Sequence, residues 1–288
     1  MPLYHATTAI RGRPAADALG DALEALSPLV TEVHDHDDGS GLWDVGGHFD
    51  GRPDVAGLAL LARLHDAPDF TVVKVEDRDW VAQVRAELTP VSAGRFVVFG
   101  GHDRDGIPPN RIGLEIEAAQ AFGTGHHATT QSCLMALDRL VRAGLAPVRV
   151  ADIGGGTGVL AMAATSVWPK ARAVAGDIDP VATGTARENV SANGLSSRIT
   201  CVTSAGFNHP VLKSAGPFDL VFANILAGPL RRLARDMAAH QPRGGVAILS
   251  GVLTRQARGV LAVYRGCGYR RVDSVRVGEW TTSVLRRV

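Results

Sequence analysis

VRVADIGGGTGVL, residues 148–160, decides the fold. An apolar run that reads as a buried strand gives way to Gly154-Gly155-Gly156-Thr157-Gly158, and a helical stretch follows at once. Glycines at such a junction let the backbone turn tightly and let a ligand lie against it, close to a helix N-terminus. Downstream, AVAGDID (173–179) reads as a second strand and ENVSANGL (188–195) closes a helix on Asn-Gly. Residues 199–202, 218–224 and 245–250 read as further strands, with helical stretches between the last two and after them. Strands alternating with helices mean a mostly parallel sheet covered on both faces. After Gly268 come two strand-like runs, 269–277 and 281–287, joined at Gly278-Glu279-Trp280. A link that short suggests an antiparallel pair at one side of the sheet.

Upstream the pattern differs. Residues 3–10, 30–33, 41–49 and 70–75 read as strands, and 15–26 and 55–64 as helices. This β-α-β-β-α-β order is the split ferredoxin-like unit. A helix over 80–88 and a strand over 95–99 lead outward. The Gly, Pro and charge content of GHDRDGIPPNR (101–111) makes it the best linker candidate. The expected organisation is a small α+β domain over 1–98, a linker over 99–117 and an α/β domain over 118–288.

The composition bounds the class. With 288 residues, 45% of them hydrophobic and 20% charged, the chain is neither disordered nor fibrous. No apolar run approaches the ~18 residues of a membrane-spanning helix. The opening MPLYHATTAIRGR lacks the basic and then apolar pattern of a signal peptide. Cys133, Cys201 and Cys267 show no metal spacing and read as small core residues in a reducing compartment. A soluble cytoplasmic monomer that needs no membrane and no nucleic acid is the expectation. The net charge of +1 hides an asymmetry: residues 1–98 carry 8 basic and 16 acidic residues, while 99–288 carry 22 and 13. An acidic first third favours a basic partner, although a solvated acidic surface would show the same count.

Three constellations carry chemistry. Asp177 ends the second strand about 20 residues after the glycine loop, where a carboxylate accepts hydrogen bonds from ribose hydroxyls. An adenosine-containing ligand follows, but not which one: Gly156-Thr157-Gly158-Val159-Leu160-Ala161 fits a dinucleotide loop, and Gly154-x-Gly156-x-Gly158 fits a methyltransferase loop. Asp152, immediately before the glycines, would repel a pyrophosphate and suits an ammonium group, such as that of S-adenosylmethionine. Asn224 ends the apolar strand FDLVFAN, where strand C-termini face the ligand crevice. Its side-chain acceptor can hold an amine N–H, or it can cap the next helix. The block AFGTGHHATT (121–130) precedes a helix over 131–140, which Thr129 or Thr130 would cap unless it bonds a ligand. The adjacent His126 and His127 cannot both face one ion without a third ligand, and HDHDDGS (34–40) reads as a solvated loop, so no metal is expected.

Taken in order, AFGTGHHATT, DIGGGTGVLAMAA, GDIDPVA, ENVSANG and ANILAGPL resemble the ribosomal protein L-11 lysine methyltransferases over about residues 115–288. GEWTT (278–282) resembles the tail of a subset of that family. The resemblance implies a class I methyltransferase Rossmann-like sheet plus a small N-terminal ferredoxin-like domain that recognises the substrate. It implies S-adenosylmethionine as cofactor, with Thr130 and Gly154 contacting it, Gly156 in the same loop, and Asp177 on the ribose. It places Asn224 at the methyl-transfer site, and Phe122, Thr124 and His126 around the same mouth. Gly155 stands where the family often has Cys. The implied substrate is ribosomal protein L-11, methylated on lysine side chains and its N-terminal amine, and an acidic recognition domain complements such a basic partner. Three other readings remain: a lysine methyltransferase of the electron transfer flavoprotein β subunit; a nicotinamide-dependent oxidoreductase, which leaves NILAGPL unexplained; and a non-catalytic binding module that keeps the cofactor fold, against which the intact Asn224 argues.

Overall fold

The computed structural model describes residues 3–26, 28–36, 39–74, 90–116 and 127–288. Contacts divide the chain into two units, Met1–Val84 and Arg85–Val288.

The small unit runs β1 (Leu3–Arg11), α1 (Arg13–Leu23), β2 (Val30–Asp35), β3 (Leu42–Asp50), α2 (Val55–Leu64) and β4 (Thr71–Lys74). Its sheet has the order β2-β3-β1-β4, with every neighbouring pair antiparallel. Alternation sets the faces. Ala6 and Ile10 of β1 and Val45 and Phe49 of β3 point to one side, where Leu19 and Leu23 of α1 and Leu58 of α2 cover them. Helix α2 starts where the Asp54 carboxylate accepts the N–H groups of Ala56 and Gly57, both at 3.1 Å, which satisfies two of the donors a helix start leaves orphaned.

The large unit begins with β5 (Val91–Ala93), β6 (Phe96–Phe99) and β7 (Ile112–Glu115), a separate three-stranded sheet. It continues through α3 (His127–Arg142), β8 (Arg149–Ile153), α4 (Val159–Val167), β9 (Arg172–Asp177), α5 (Pro180–Ala192), β10 (Ile199–Thr203) and α6 (Pro210–Ala215). It ends with β11 (Leu220–Asn224), α7 (Ala227–Ala239), β12 (Val246–Ser250), α8 (Thr254–Gly266), β13 (Tyr269–Val277) and β14 (Trp280–Arg287). The main sheet has the order β10-β9-β8-β11-β12-β14-β13. Strands β8 to β12 are parallel, and β14 is antiparallel to both β12 and β13. The expected antiparallel pair is therefore present, folded back so that the last strand lies inside the sheet.

Burial on both faces explains the apolar runs of the central strands. Leu220 and Phe222 of β11 enter one core layer with Leu134 of α3 and Met162 of α4. Val221 and Ala223 of the same strand enter the other, with Leu230 and Met237 of α7 and Tyr264 of α8. A fully buried Leu or Phe contributes roughly 1.5–3 kcal/mol. No helix among the described residues is long and apolar enough to cross a membrane.

The structure divides the chain earlier than the expected boundary at 98. Phe96, Val98 and Leu114 bury in the same layer as α3 and α4, so β6 and β7 belong to the large unit. Strands β6 and β7 pair in parallel, and GHDRDGIPPNR is the crossover between them, with a short 3-10 helix over Gly101–Gly106. The strand over 95–99 was legible as β6, whereas β5 and β7, with three and four residues, carry too little alternation to be read from sequence. The helix expected over 80–88 lies outside the described residues.

Candidate active site

In an open α/β sheet, ligands bind outside the carboxyl ends of the strands, where the strand order reverses. Here that point lies between β8 and β11. A cavity of about 750 Å³ opens there, with Gly154, Asp177, Ser204, Asn224, Ile225 and Gly251 in its wall. This volume lies within the ~300–1,000 Å³ typical of small-molecule sites.

The glycine loop is built by hydrogen bonds on its far side. Gly154 N–H donates to Gly176 O at 2.8 Å. Asn189, the Asn of ENVSANGL that lies on α5, donates from Nδ2 to Thr157 O at 3.0 Å. Asp177 Oδ2 accepts from Gly156 N–H at 2.9 Å, and its Oδ1 accepts from Asp179 N–H at 3.0 Å. The Asp177 carboxylate and the loop are thus one hydrogen-bonded unit.

Two glycines fit the loop after β11. Gly154 has φ +71°, and a Cβ there would meet Ile225 Cγ2 at 2.2 Å. Gly251, just after β12, has φ +75°, and its Cβ would meet the backbone O of Ile225 at 2.5 Å. Both positions lie in the left-handed region that L side chains rarely adopt. Ile225 is therefore wedged between two stretches of bare backbone, which fixes the residue beside it, Asn224.

Asn224 ends β11 with its amide divided in role. Nδ2 donates toward Thr130 Oγ1 at 3.5 Å, a long contact. Oδ1 is buried and has no hydrogen-bond partner among the described residues. An orphaned buried acceptor costs about 1–3 kcal/mol, so it marks a place where a donor belongs.

Thr130 is held from behind by buried hydroxyls. Ser132 Oγ donates to Thr129 O at 2.9 Å, and it lies 2.6 Å from Thr282 Oγ1. Thr282 Oγ1 lies 2.6 Å from Ser250 Oγ. Ser250 Oγ also reaches Thr129 O at 3.4 Å, so Ser132, Thr282 and Ser250 form one hydrogen-bonded chain of hydroxyls around that carbonyl. It ties the first turn of α3 to β12 and β14. Sequence reading found neither this chain nor Gly251; the one signal was GEWTT, whose final Thr is Thr282.

Asp152 sits elsewhere than expected. It is fully buried and is absent from the cavity wall. Its Oδ2 accepts the N–H of Ala161 in the first turn of α4 at 3.1 Å, while Oδ1 has no partner. Burial pushes its carboxyl up to about 7, opposed by the Ala161 hydrogen bond and reinforced by the nearby Asp177 charge. In this geometry Asp152 holds the helix that follows the loop rather than meeting an ammonium group directly.

Of the residues singled out in the sequence, Gly154, Asp177 and Asn224 share the cavity wall, Thr130 adjoins Asn224, and Gly156 joins through Asp177. Phe122, Thr124 and His126 lie outside the described residues. The cavity, the bare backbone at Gly154 and the orphaned amide oxygen fit an adenosine cofactor with a reacting amine beside it.

Sheet order, glycine loop and a carboxylate at the end of the second main-sheet strand together define a class I methyltransferase. A dinucleotide oxidoreductase is not supported, since its sheet runs 3-2-1-4-5-6 and has no antiparallel strand in the place of β14. The model of the family described as ribosomal protein L11 methyltransferase (PrmA) matches residues 45–288, and the chain belongs to that family. A protein of Bradyrhizobium diazoefficiens named ribosomal protein L11 methyltransferase is 43% identical over 100% of this chain and 98% of its own length. A protein of the same name from Rhodopseudomonas palustris is 42% identical over 96% of this chain and 93% of its own length. The crystal structure of a ribosomal protein L11 methylase from Lactobacillus delbrueckii subsp. bulgaricus is 26% identical, with a TM-score of 0.60 over 69% of this chain and 98% of that one. Fold and family imply S-adenosylmethionine as the methyl donor.

Proposed function

We propose that this protein methylates amines, lysine side chains and the N-terminal amine, of ribosomal protein L11. The observation that carries this reading is the buried, unpartnered Oδ1 of Asn224, at the mouth between β8 and β11. S-adenosylmethionine, when bound, supplies an electrophilic sulfonium methyl. The chain's own residues then have separable tasks. Gly154 offers bare backbone to the cofactor, and Asp177 accepts the ribose hydroxyls. Asp152 acts through the loop by fixing α4. Asn224 Oδ1 accepts an N–H of the neutral amine and aims the nitrogen lone pair, with Thr130 holding the other end of the amide. Alignment of this kind can supply about 7–11 kcal/mol of the barrier.

The amine must be neutral first. A free lysine titrates near ~10.4 and an α-amine near ~7.7–8.0, and desolvation lowers both. The proton passes to water. The acidic residues of 1–98 complement a basic partner, by steering more than by contact.

The test is methyl transfer from labelled S-adenosylmethionine to unmethylated L11, with the electron transfer flavoprotein β subunit in a parallel reaction. Label on L11 amines, located by mass spectrometry, is the expected result. Label only on the flavoprotein keeps the chemistry and replaces the partner. No label in either overturns the reading.

A further inference from the structure

The face of the small sheet opposite α1 and α2 carries a cluster that methyl transfer does not use. His5 of β1 lies directly opposite His48 of β3, and their rings stack with centroids 4.3 Å apart. Glu32 of β2 reaches both: its Oε2 is 3.7 Å from His5 Nε2 and its Oε1 is 3.5 Å from His48 Nδ1. One ligand atom from each of the three residues lies within 4.8 Å of the other two.

Two further observations point to a ligand. His5 Nε2 is buried and has no hydrogen-bond partner among the described residues. The Glu32 oxygen that faces it is too distant for a hydrogen bond. Gly46, which pairs with Thr7 on one side and Glu32 on the other, leaves room for the His5 ring. A Cβ at position 46 would meet His5 Nε2 at 3.2 Å and Thr7 Cγ2 at 2.8 Å.

We infer that His5, Glu32 and His48 form a binding site for a single divalent transition-metal ion of the zinc class. The donor set is two imidazoles and one carboxylate, which suits zinc. Metal–ligand bonds of about 2.0–2.1 Å in a tetrahedron put the ligand atoms about 3.3 Å apart. The separations from Glu32 are 3.5 and 3.7 Å, and because the two rings stack at 12° one imidazole must turn to bring its in-plane lone pair onto the ion. The fourth position falls to water. Side-chain exposures of 26% for His5, 30% for Glu32 and 16% for His48 leave the cluster reachable yet largely desolvated. Such an ion would clip β1, β2 and β3 together on the face opposite α1 and α2.

The test uses the full chain without a polyhistidine tag, stripped by chelator and titrated with Zn²⁺ by calorimetry. We expect one zinc per chain. His5→Ala, Glu32→Gln and His48→Ala should each weaken binding by at least about tenfold, or 1.4 kcal/mol. Circular dichroism on each variant separates lost binding from lost folding. Co²⁺ in place of zinc should give the visible bands of a four-coordinate site, and these should be absent in His5→Ala. His34→Ala is the control: His34 Nε2 lies 3.9 Å from Glu32 Oε2 but is 70% exposed on the rim, and its loss should leave affinity unchanged. Absence of stoichiometric zinc, or wild-type affinity in folded His5→Ala, overturns the proposal.

Discussion

Thr130 Oγ1 and Asn224 Nδ2 stand 3.5 Å apart across 94 residues of sequence. The contact orients the amide: its donor end faces the first turn of α3, and its acceptor end is the buried oxygen without a partner. A residue at a strand terminus is thereby set up to receive an N–H.

Asn224→Ala removes that acceptor without touching the glycine loop. Turnover should fall on the order of a hundredfold, the scale for losing one positioned polar group at a reacting centre. Cofactor affinity by calorimetry should change far less. Equal loss in both would refute the division of roles.

The wedge at Ile225 predicts an unequal rescue. Gly154→Ala and Gly251→Ala should each destabilise the fold by about 1–3 kcal/mol, because both need a left-handed backbone conformation and both meet Ile225. Ile225→Ala removes the Cγ2 that obstructs position 154 but leaves the backbone that obstructs position 251. Urea unfolding of the double variants should therefore show partial recovery for the first pair and none for the second.

Asp152 makes stability depend on pH in an unusual direction. Its carboxyl is raised from 3.8 to about 7 in the folded chain, so the folded state holds the proton more tightly than the unfolded one. That contribution is complete below pH 4 and is lost as pH rises through 7, at about 1.4 kcal/mol per pH unit in between. Unfolding midpoints measured from pH 5 to 8 should fall more steeply for the wild type than for Asp152→Asn. Parallel slopes would mean that this carboxyl does not titrate there.

Asp177→Ala should weaken S-adenosylmethionine binding by roughly 1.5–3 kcal/mol per charged hydrogen bond lost. It should also free the Gly156 amide, measurable as faster hydrogen exchange at that one position. Unchanged exchange would separate the carboxylate from the loop.

Much of this was legible in the sequence for specific reasons. Leu220 to Ala223 read as a strand because burial on both faces leaves no polar alternation, and the glycines of 154–158 announced the turn that Gly154 makes at φ +71°. Asp177 and Asn224 could be placed in the cavity wall because each ends a strand, and strand ends define the crevice. Asp152 was misplaced because a strand's parity sets which layer a side chain enters, while spacing along the chain shows only that it precedes the loop. Ser132, Ser250 and Thr282 carry no spacing signal, since three hydroxyls from distant segments meet only once the sheet is assembled. His5, Glu32 and His48 escaped for the same reason, coming from three strands brought together by antiparallel register.

The position of β14 bears on how the protein is made. Trp280–Arg287 is the final strand in chain order, yet it lies between β12 and β13 rather than at the margin. While translation is still short of it, β12 presents an open edge, which invites pairing with other chains, and Ser250 lacks its Thr282 partner. The methyl-transfer crevice therefore matures only after this segment has left the synthesising ribosome. A nascent chain halted before residue 280 is expected to be sticky and inactive, however complete its glycine loop.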